Sequence, residues 1–297
     1  MIVACLCFAL PALAQEVTVR HPEPGAVADP VAAIRAAFTG RFLGVERKDG
    51  REGTGHIVAR ELPGGFIGRD YWSEGRGRRL YAGHDVLWLG PGGEARHWWF
   101  GSRGDYAEAA GSWTPQQLVL TVRDDEGDPL RRYTYRLAPS AGVALAFRND
   151  HAGRRGWEEF MSAEWHRAEV SLPPDFLPRP EQEKAGWRRD LIGSGGKSSD
   201  RIAGRRLFGE WLVLDGGGRH AVLSEGWLGR LRLWTWSGEG AGEWEGEREG
   251  RLLRFRPVGA DSGGNAGWRL RVEPGEDGMG CRWREPDPRD GIHGPNR

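Results

Sequence analysis

The amino-acid sequence predicts an all-β protein with minor helix, in which a closed antiparallel β-barrel precedes a second, smaller antiparallel β-domain. Short extended runs follow one another from residue 38, and Gly-, Pro- or Asp-rich turns separate them at fairly even spacing. Apolar and polar residues alternate along several runs, as on strands with one buried face. The chain contains 15 Trp and 47 Gly among 297 residues, a pairing common in tight-turned antiparallel sheets.

Composition and charge indicate a globular protein without a nucleic-acid partner. Hydrophobic residues make up 38% of the chain and charged residues 28%, a balance typical of folded domains. The formal net charge is zero, whereas nucleic-acid-binding domains usually carry a surplus of basic residues. After the N-terminal apolar run, no stretch of about 18 apolar residues follows, so we expect no integral membrane segment.

The N-terminus predicts export to the periplasm or secretion. Residues 1–14 contain an apolar run that ends in Ala12-Leu13-Ala14, an A-x-A cleavage pattern, and a polar segment follows. No basic residue precedes the run, so we expect the true start codon to lie upstream. The alternative to a signal peptide is that the apolar run forms a buried N-terminal helix. Cleavage would remove Cys5 and Cys7 and leave Cys281, which predicts a mature chain without an internal disulfide.

Residues 15–37 are predicted to form a polar arm followed by a short helix. Asp29 is suited to the N-cap and Pro30 to the first helical position. The helix is expected to end before Gly40 and to pack against a larger element, because a helix this short is marginal alone.

Residues 38–168 predict the barrel itself. Tyr133, Tyr135 and Leu137 alternate with polar residues, which is the period of a half-buried strand. Nine or ten such strands are expected, enough to close a sheet and remove its edges.

The remaining chain predicts a linker at 169–204, a smaller β-domain at 205–285 and a flexible tail at 286–297. The linker is rich in Pro and Gly, and its Gly193–Ser199 segment lacks the first glycine of a phosphate-binding loop. In the second domain, Leu231, Leu233 and Thr235 alternate with Arg232, Trp234 and Trp236, which predicts a strand with one buried face.

Six short motifs within residues 38–168 resemble a known family. They are Phe38-Thr39-Gly40-Arg41-Phe42, Leu62-Pro63-Gly64-Gly65-Phe66-Ile67, Tyr81-Ala82-Gly83-His84-Asp85, Trp98-Trp99-Phe100-Gly101-Ser102-Arg103-Gly104, Gly111-Ser112-Trp113 and Phe160-Met161-Ser162-Ala163-Glu164-Trp165-His166-Arg167. The segment they define resembles the lipocalin-like (calycin-type) bacterial domains of unknown function called DUF1579, although Phe42 stands where that family often has Trp. The resemblance implies a closed antiparallel barrel with a cavity and no particular ligand.

The strand aromatics and one histidine are the candidate ligand-binding residues of such a cavity. Trp98 and Trp99 are adjacent on a strand, so at most one of them faces inward. The alternative is that these side chains simply fill the interior. The predicted ligand-binding set is Trp72, His84, Trp99, Tyr135 and Trp165.

The sequence gives weaker support for catalysis, metal binding or haem binding than for a ligand cavity. It predicts no catalytic residue, no metal site and no cofactor. His84 and Asp85 are neighbours on a strand and point to opposite faces, so they would not form a catalytic pair. A metal site from His56, His84 and His97 would need three strands to converge, which their spacing does not require. His166 offers a haem ligand, but without the Gly-x-Trp-x-Gly opening of related haem-binding barrels.

The predicted function is that of an exported soluble binding protein carrying a small, largely apolar ligand. One alternative is an envelope structural or protein–protein interaction module with exposed Trp and Arg contacts. The other is a cavity-based enzyme in which a polar residue such as His84 or Arg69 acts on the bound molecule. An apolar cavity favours the first, a filled barrel with an exposed aromatic patch the second, and a cavity group with a perturbed pKa the third.

Overall fold

The computed structural model describes most of the chain from residue 29 onward. The described residues are 29–173, 191, 201–206, 211–226, 230–250, 252–258, 270–274 and 281–284. The predicted signal peptide at 1–14, the arm at 15–28, most of the linker at 169–204 and the tail at 286–297 lie outside them.

A short helix, α1 (Pro30–Phe38), precedes the first strand, as the sequence predicts. Asp29 caps it, because its Oδ1 accepts from the Val31 backbone N–H at 2.9 Å. At its other end, the Arg167 guanidinium donates to the carbonyls of Ala36 and Thr39. Across the described part of the chain, no helix has the length and apolar character needed to span a membrane.

Ten antiparallel strands form the first sheet and close it into a barrel. Each strand pairs with the next, and the first also pairs with the last, from Phe42 opposite Arg167 to Lys48 opposite Met161. A 3-10 turn at Pro63–Gly65 joins the second and third strands. The strands are β1 (Gly40–Lys48), β2 (Arg51–Glu61), β3 (Phe66–Gly75), β4 (Arg78–Leu89), β5 (Glu94–Gly101), β6 (Tyr106–Thr114), β7 (Gln117–Arg123), β8 (Pro129–Ser140), β9 (Val143–Gly153) and β10 (Gly156–Arg167).

Helix α1 closes one end of this barrel. Val31, Ile34 and Phe38 are buried in the barrel core. The Phe38 ring packs edge-on against Tyr135, with 5.3 Å between the ring centroids. The helix therefore gains its stability from tertiary packing, and the interior remains accessible from the opposite end.

Eight strands within the described residues form the second sheet, which also closes because its first and last strands pair at Ile202 and Cys281. It begins at residue 201, four residues before the predicted domain start at 205; this arginine-rich first strand lacks the alternation that marks strands in a sequence. The strands are β11 (Arg201–Arg206), β12 (Trp211–Gly216), β13 (Arg219–Glu225), β14 (Leu231–Ser237), β15 (Gly240–Glu249), β16 (Leu252–Pro257), β17 (Leu270–Pro274) and β18 (Cys281–Arg284).

Apolar side chains among the described residues of the second barrel form a separate core cluster. Its members are Leu191, Ile202, Leu212, Leu214, Ala221, Leu223, Leu231, Leu233, Leu253, Phe255 and Val272. The two barrels therefore differ, because polar and aromatic side chains line much of the first.

The barrels pack against each other through aromatic side chains on their outer faces. Phe100 contacts Trp211, Trp234 and Trp236 edge-on, with centroids 5.2 to 6.0 Å apart. The Trp211 indole also donates to the Gly101 carbonyl at 3.0 Å. The interface cluster comprises Leu62, Phe66, Trp72, Ala82, Val86, Trp98, Phe100, Val170, Trp211, Val213, Val222, Trp234 and Trp236.

This interface corrects one expectation for β14. The sequence predicts one buried face, formed by Leu231, Leu233 and Thr235. Trp234 and Trp236 on the other face are also buried, because that face meets the first barrel. The strand is therefore covered on both sides.

A buried chain of polar side chains crosses the interface. His84 and His220 are 1% and 0% exposed, and their Nε2 atoms lie 2.9 Å apart. Nδ1 of His84 lies 2.9 Å from Asp70, and Nδ1 of His220 lies 2.7 Å from Asp215, which Arg60 also contacts at 2.7 Å. The two imidazole rings have four nitrogens in total. The contacts of His84 with Asp70, of His84 with His220 and of His220 with Asp215 can all be hydrogen bonds only when three of these nitrogens carry hydrogen.

The pKa of His220 identifies the ring that supplies the lone pair. Burial lowers the pKa of His220 to about 4, outweighing the opposite effect of Asp215. His220 is thus neutral and carries one ring hydrogen. When that hydrogen is on Nδ1 it is donated to Asp215, and the lone pair of Nε2 then faces His84.

We predict that acid destabilises the folded protein through His220. Its ordinary pKa of 6.5 is lowered to about 4 on folding, so between these values the unfolded chain binds more protons and the free energy of unfolding falls as pH falls. Chemical denaturation at pH 7 and pH 4.5 measures this loss. His220→Phe should weaken the pH dependence, and should cost about 1–3 kcal/mol at pH 7 because buried polar partners lose a hydrogen bond.

The matched control for this prediction is His166→Phe. His166 is exposed on the outside of the first barrel, where Nδ1 contacts the Gly142 carbonyl. Its substitution should leave the pH dependence unchanged. Equal pH profiles for His220→Phe and the unaltered protein would refute the role of the histidine pair.

Candidate functional site

The first barrel encloses a cavity of about 670 Å³. Its deep part lies above helix α1, where the Arg69 guanidinium carbon is 5.7 Å from the centroid of the Phe38 ring. Its mouth lies at the opposite end, beside the β1–β2 turn. The aromatic wall consists of Tyr71, Tyr81, Trp99, Tyr133, Tyr135, Phe147, Phe160 and Trp165.

The deepest polar group is a buried ion pair between neighbouring strands. Arg69 on β3 donates through Nε to Asp85 on β4 at 2.6 Å, and through Nη2 to the Tyr135 hydroxyl at 3.0 Å. Burial acts to raise the pKa of Asp85, but the Arg69 charge outweighs it and holds that pKa below its usual value. Nε2 of His97 lies 3.6 Å from the other Asp85 oxygen, beyond hydrogen-bond distance.

Glu46 is a second buried carboxyl in the cavity, only 4% exposed. The Tyr71 hydroxyl donates to its Oε2 at 2.9 Å, while Oε1 has no hydrogen-bond partner among the described residues. Burial raises the pKa of Glu46 to about 7, although hydrogen bonds from Tyr71 and Ser73 act in the opposite direction. Glu46 therefore exchanges its proton near neutral pH.

Two paired glycines make room for these side chains. Gly44 on β1 lies opposite Gly55 on β2. A Cβ at Gly55 would lie 2.0 Å from Oε1 of Glu46, and one at Gly44 would lie 2.5 Å from Cδ1 of Trp165. The glycine pair thus lets a carboxylate and an indole lie flat against the barrel wall.

A third carboxylate, Asp105, lies closer to the mouth. The Tyr81 hydroxyl donates to its Oδ2, and the Trp99 indole N–H contacts that oxygen at 3.1 Å and the Tyr81 hydroxyl at 2.9 Å. Burial raises the pKa of Tyr81, and the Asp105 hydrogen bond adds to the effect. Tyr81 therefore stays protonated and holds the carboxylate in place.

Several polar atoms of the cavity wall are buried without a hydrogen-bond partner among the described residues. They belong to residues on five strands and to Asp105 in the turn between β5 and β6. The atoms are Glu46 Oε1, Arg69 Nη1, His97 Nδ1 and Nε2, Asp105 Oδ1, Asn149 Oδ1, His151 Nε2 and Trp165 Nε1. Because buried polar groups are normally hydrogen-bonded, this wall is suited to a guest that carries polar groups.

The structure brings together three of the five predicted ligand-binding residues. Trp99, Tyr135 and Trp165 line the cavity. Trp72 and His84 do not, because they occupy the outward-facing positions of β3 and β4. Trp72 belongs to the interface cluster, and His84 contacts His220 of the second barrel. Strand parity places them there, which corrects their assignment to the cavity.

The other sequence hypotheses are resolved by the same parity. His56 stacks on Trp72 on the outer face and His84 faces the interface, whereas His97 faces the cavity, so these three histidines do not converge. No group of three or more His, Cys, Asp or Glu in the described segments could hold a metal ion. His166 is exposed outside the barrel and does not reach the cavity.

Sequence reasoning missed Glu46 and Asp105 as site residues. A signal for Glu46 exists, since Phe42, Gly44 and Glu46 share the inward parity of β1, and a carboxyl in phase with a buried Phe is unusual. Asp105 follows a turn, where acidic residues are ordinary, so nothing in the sequence distinguishes it.

Closed ten-stranded architecture and an internal cavity fit a lipocalin-like barrel. No protein-family model matches the chain, and no curated protein matches it. Among solved structures, the chain is similar to Rv2717c from M. tuberculosis, with 14% sequence identity and a TM-score of 0.38. The match covers 47% of this chain and 98% of the other, and at this level it supports no inference about function.

We predict that Glu46→Gln stabilises the protein above neutral pH. The pKa of Glu46 rises on folding from 4.5 to about 7, so the unfolded chain loses this proton first and the free energy of unfolding falls as pH rises through that range. A glutamine side chain has nearly the same shape as the Glu46 side chain but carries no charge. Chemical denaturation should show a gain of about 3 kcal/mol at pH 8.5 and little change at pH 4.

Glu164→Gln is the control, because Glu164 is exposed on the outer face of β10. It should change the free energy of unfolding little at either pH. If Glu46→Gln gave no greater stability at pH 8.5 than at pH 4, the carboxyl would not be buried as described.

Proposed function

We propose that this chain is an exported binding protein that carries a small amphipathic molecule in the cavity of its first barrel. The observation that carries the proposal is the cavity of about 670 Å³, with an aromatic wall and unpartnered polar atoms. Ligand-binding cavities typically measure about 300–1,000 Å³ and combine apolar walls with a few placed polar groups.

The unpartnered polar atoms of the cavity wall change the expected ligand from a largely apolar molecule to an amphipathic one. A purely apolar guest would leave Arg69 Nη1, Glu46 Oε1 and Trp165 Nε1 without partners. An unsatisfied buried polar group costs roughly 1–3 kcal/mol. An amphipathic guest satisfies them while its apolar part contacts the aromatic wall.

The proposal includes export of the chain and membership of its first barrel in the DUF1579 family. The A-x-A motif at Ala12–Ala14 supports export to the periplasm or secretion. The closed barrel at β1–β10 is compatible with the resemblance to DUF1579.

Catalysis on the bound molecule is a second candidate function, favoured by one observation. Glu46 has a pKa of about 7 inside the cavity, which suits a general acid or base at neutral pH. The two functions differ in the fate of the guest, because a carrier returns it unchanged and an enzyme does not.

We predict that filling the cavity abolishes binding. Asn149 lies on the cavity side of β9, and Asn149→Phe should reduce the affinity for naphthalene-based fluorescent probes at least about tenfold by occluding volume. Ala146→Phe on the outer side of the same strand is the control and should bind normally. Equal affinity in the two variants would place binding elsewhere and contradict the proposal.

A natural ligand should be recovered from protein isolated from its host envelope. We expect native mass spectrometry to show a small-molecule adduct that is lost in Asn149→Phe and retained in Ala146→Phe. Incubation followed by extraction distinguishes carriage from catalysis, since a carrier releases the same mass that it bound. A ligand-free mass, together with no thermal shift across an amphipathic library, would refute carriage.

A further inference from the structure

The charges of the residues that line the cavity are unbalanced. Arg69 and Asp85 neutralise each other at 2.6 Å. Glu46 and Asp105 contact tyrosine hydroxyls and an indole N–H, and neither forms an ion pair with a basic residue in the described part of the chain. When both are ionised, the cavity holds two carboxylates without a buried counter-charge.

The basic residues around the cavity lie at its mouth. Lys48, Arg51, Arg103 and Arg131 line the opening and are exposed, so solvent and salt screen their charges. Glu46 is buried, where the lower effective dielectric strengthens electrostatic interactions. The electrostatic field inside the cavity is therefore set mainly by its two unpaired carboxylates.

Aromatic rings occupy the space between the two carboxylates. Tyr71 contacts Glu46 through its hydroxyl and packs against Trp99 and Tyr81, with centroids 5.8 and 6.4 Å apart. Tyr81 in turn stacks on Trp99 and reaches Asp105. Aromatic faces beside carboxylates are the usual environment for binding organic cations.

We propose that the molecule carried in the cavity is an organic cation, an amine or quaternary ammonium on an aromatic or apolar body, and that its positive group docks beside the carboxyl group of Glu46. This inference rests on the proposed carrier function and names its ligand class. The aromatic rings contact the body and the cationic face of the guest. Asp105 supplies a second negative charge nearer the mouth.

The geometry also makes cation binding dependent on pH. The titratable group in contact with Glu46 is Tyr71 on β3, which burial and Glu46 keep protonated by raising its pKa. Lys48 on β1 lies over the Phe160 ring at 4.0 Å, while β2 and β10 pair with Glu46 through Gly53 and Ala163, which carry no titratable group. Ionisation of Glu46 through neutral pH therefore creates the anionic site.

The test uses a probe whose own charge does not change with pH. We expect (2-naphthylmethyl)trimethylammonium to bind at least about tenfold more tightly at pH 8 than at pH 5.5 by isothermal titration calorimetry, following the ionised fraction of Glu46. Its neutral isostere, with carbon in place of nitrogen, should bind with the same affinity at both values.

Glu46→Gln separates the ligand class from the existence of a binding cavity. This variant should lose the pH dependence and the preference for the cation, yet bind the neutral isostere as the unaltered protein does, which shows that it is folded. Glu164→Gln should retain both preferences.

Two further outcomes would overturn the inference in different ways. Equal binding of the cation and the isostere at pH 8, or tighter binding of 2-naphthylacetate than of the cation, would refute cation recognition and leave the carrier function intact. Failure of all three probes to bind at either pH would contradict both proposals.

Discussion

The pairing of β1 with β10 is the constraint from which the site follows. Once the sheet closes, each side chain on its strands faces either the interior or the exterior, and alternation assigns the face. On β4, Asp85 enters the cavity while His84 enters the interface with the second barrel. On β5, Trp99 and Trp98 are separated in the same way. The same closed sheet thus supplies side chains to the cavity wall and to the interface with the second barrel.

Closure of the sheet has a different result in each of the two barrels. The second has an apolar core of mainly aliphatic side chains, and its exterior covers the aromatic outer face of β3 to β5 on the first. The first retains a cavity and holds Glu46 at a pKa that burial raises to about 7. That burial lowers stability when Glu46 is ionised, and stability given up at a defined polar group is common at functional sites.

The sequence was informative where a pattern has a single physical cause. Asp29 and Pro30 predicted helix α1, turn residues and alternation predicted a closed sheet of nine or ten strands, and adjacency predicted that only one of Trp98 and Trp99 faces inward. The sequence could not separate Trp72 and His84 from the cavity, because β3 and β4 are buried on both faces and their outer covering is supplied by distant strands. Alternation on β1 marks Glu46 as an inward carboxyl, but it does not reveal the contact with Tyr71, which lies 25 positions away.

Strand parity divides the aromatic residues between a ligand cavity and an interface, and the indole N–H resonances of tryptophan test this division directly. Assigned spectra should be recorded during titration with the naphthyl cation at pH 8. We expect the resonances of Trp99 and Trp165, which line the cavity, to shift, and those of Trp98 and Trp236, which lie in the interface, to stay unchanged. Shifts confined to the interface indoles would contradict this division.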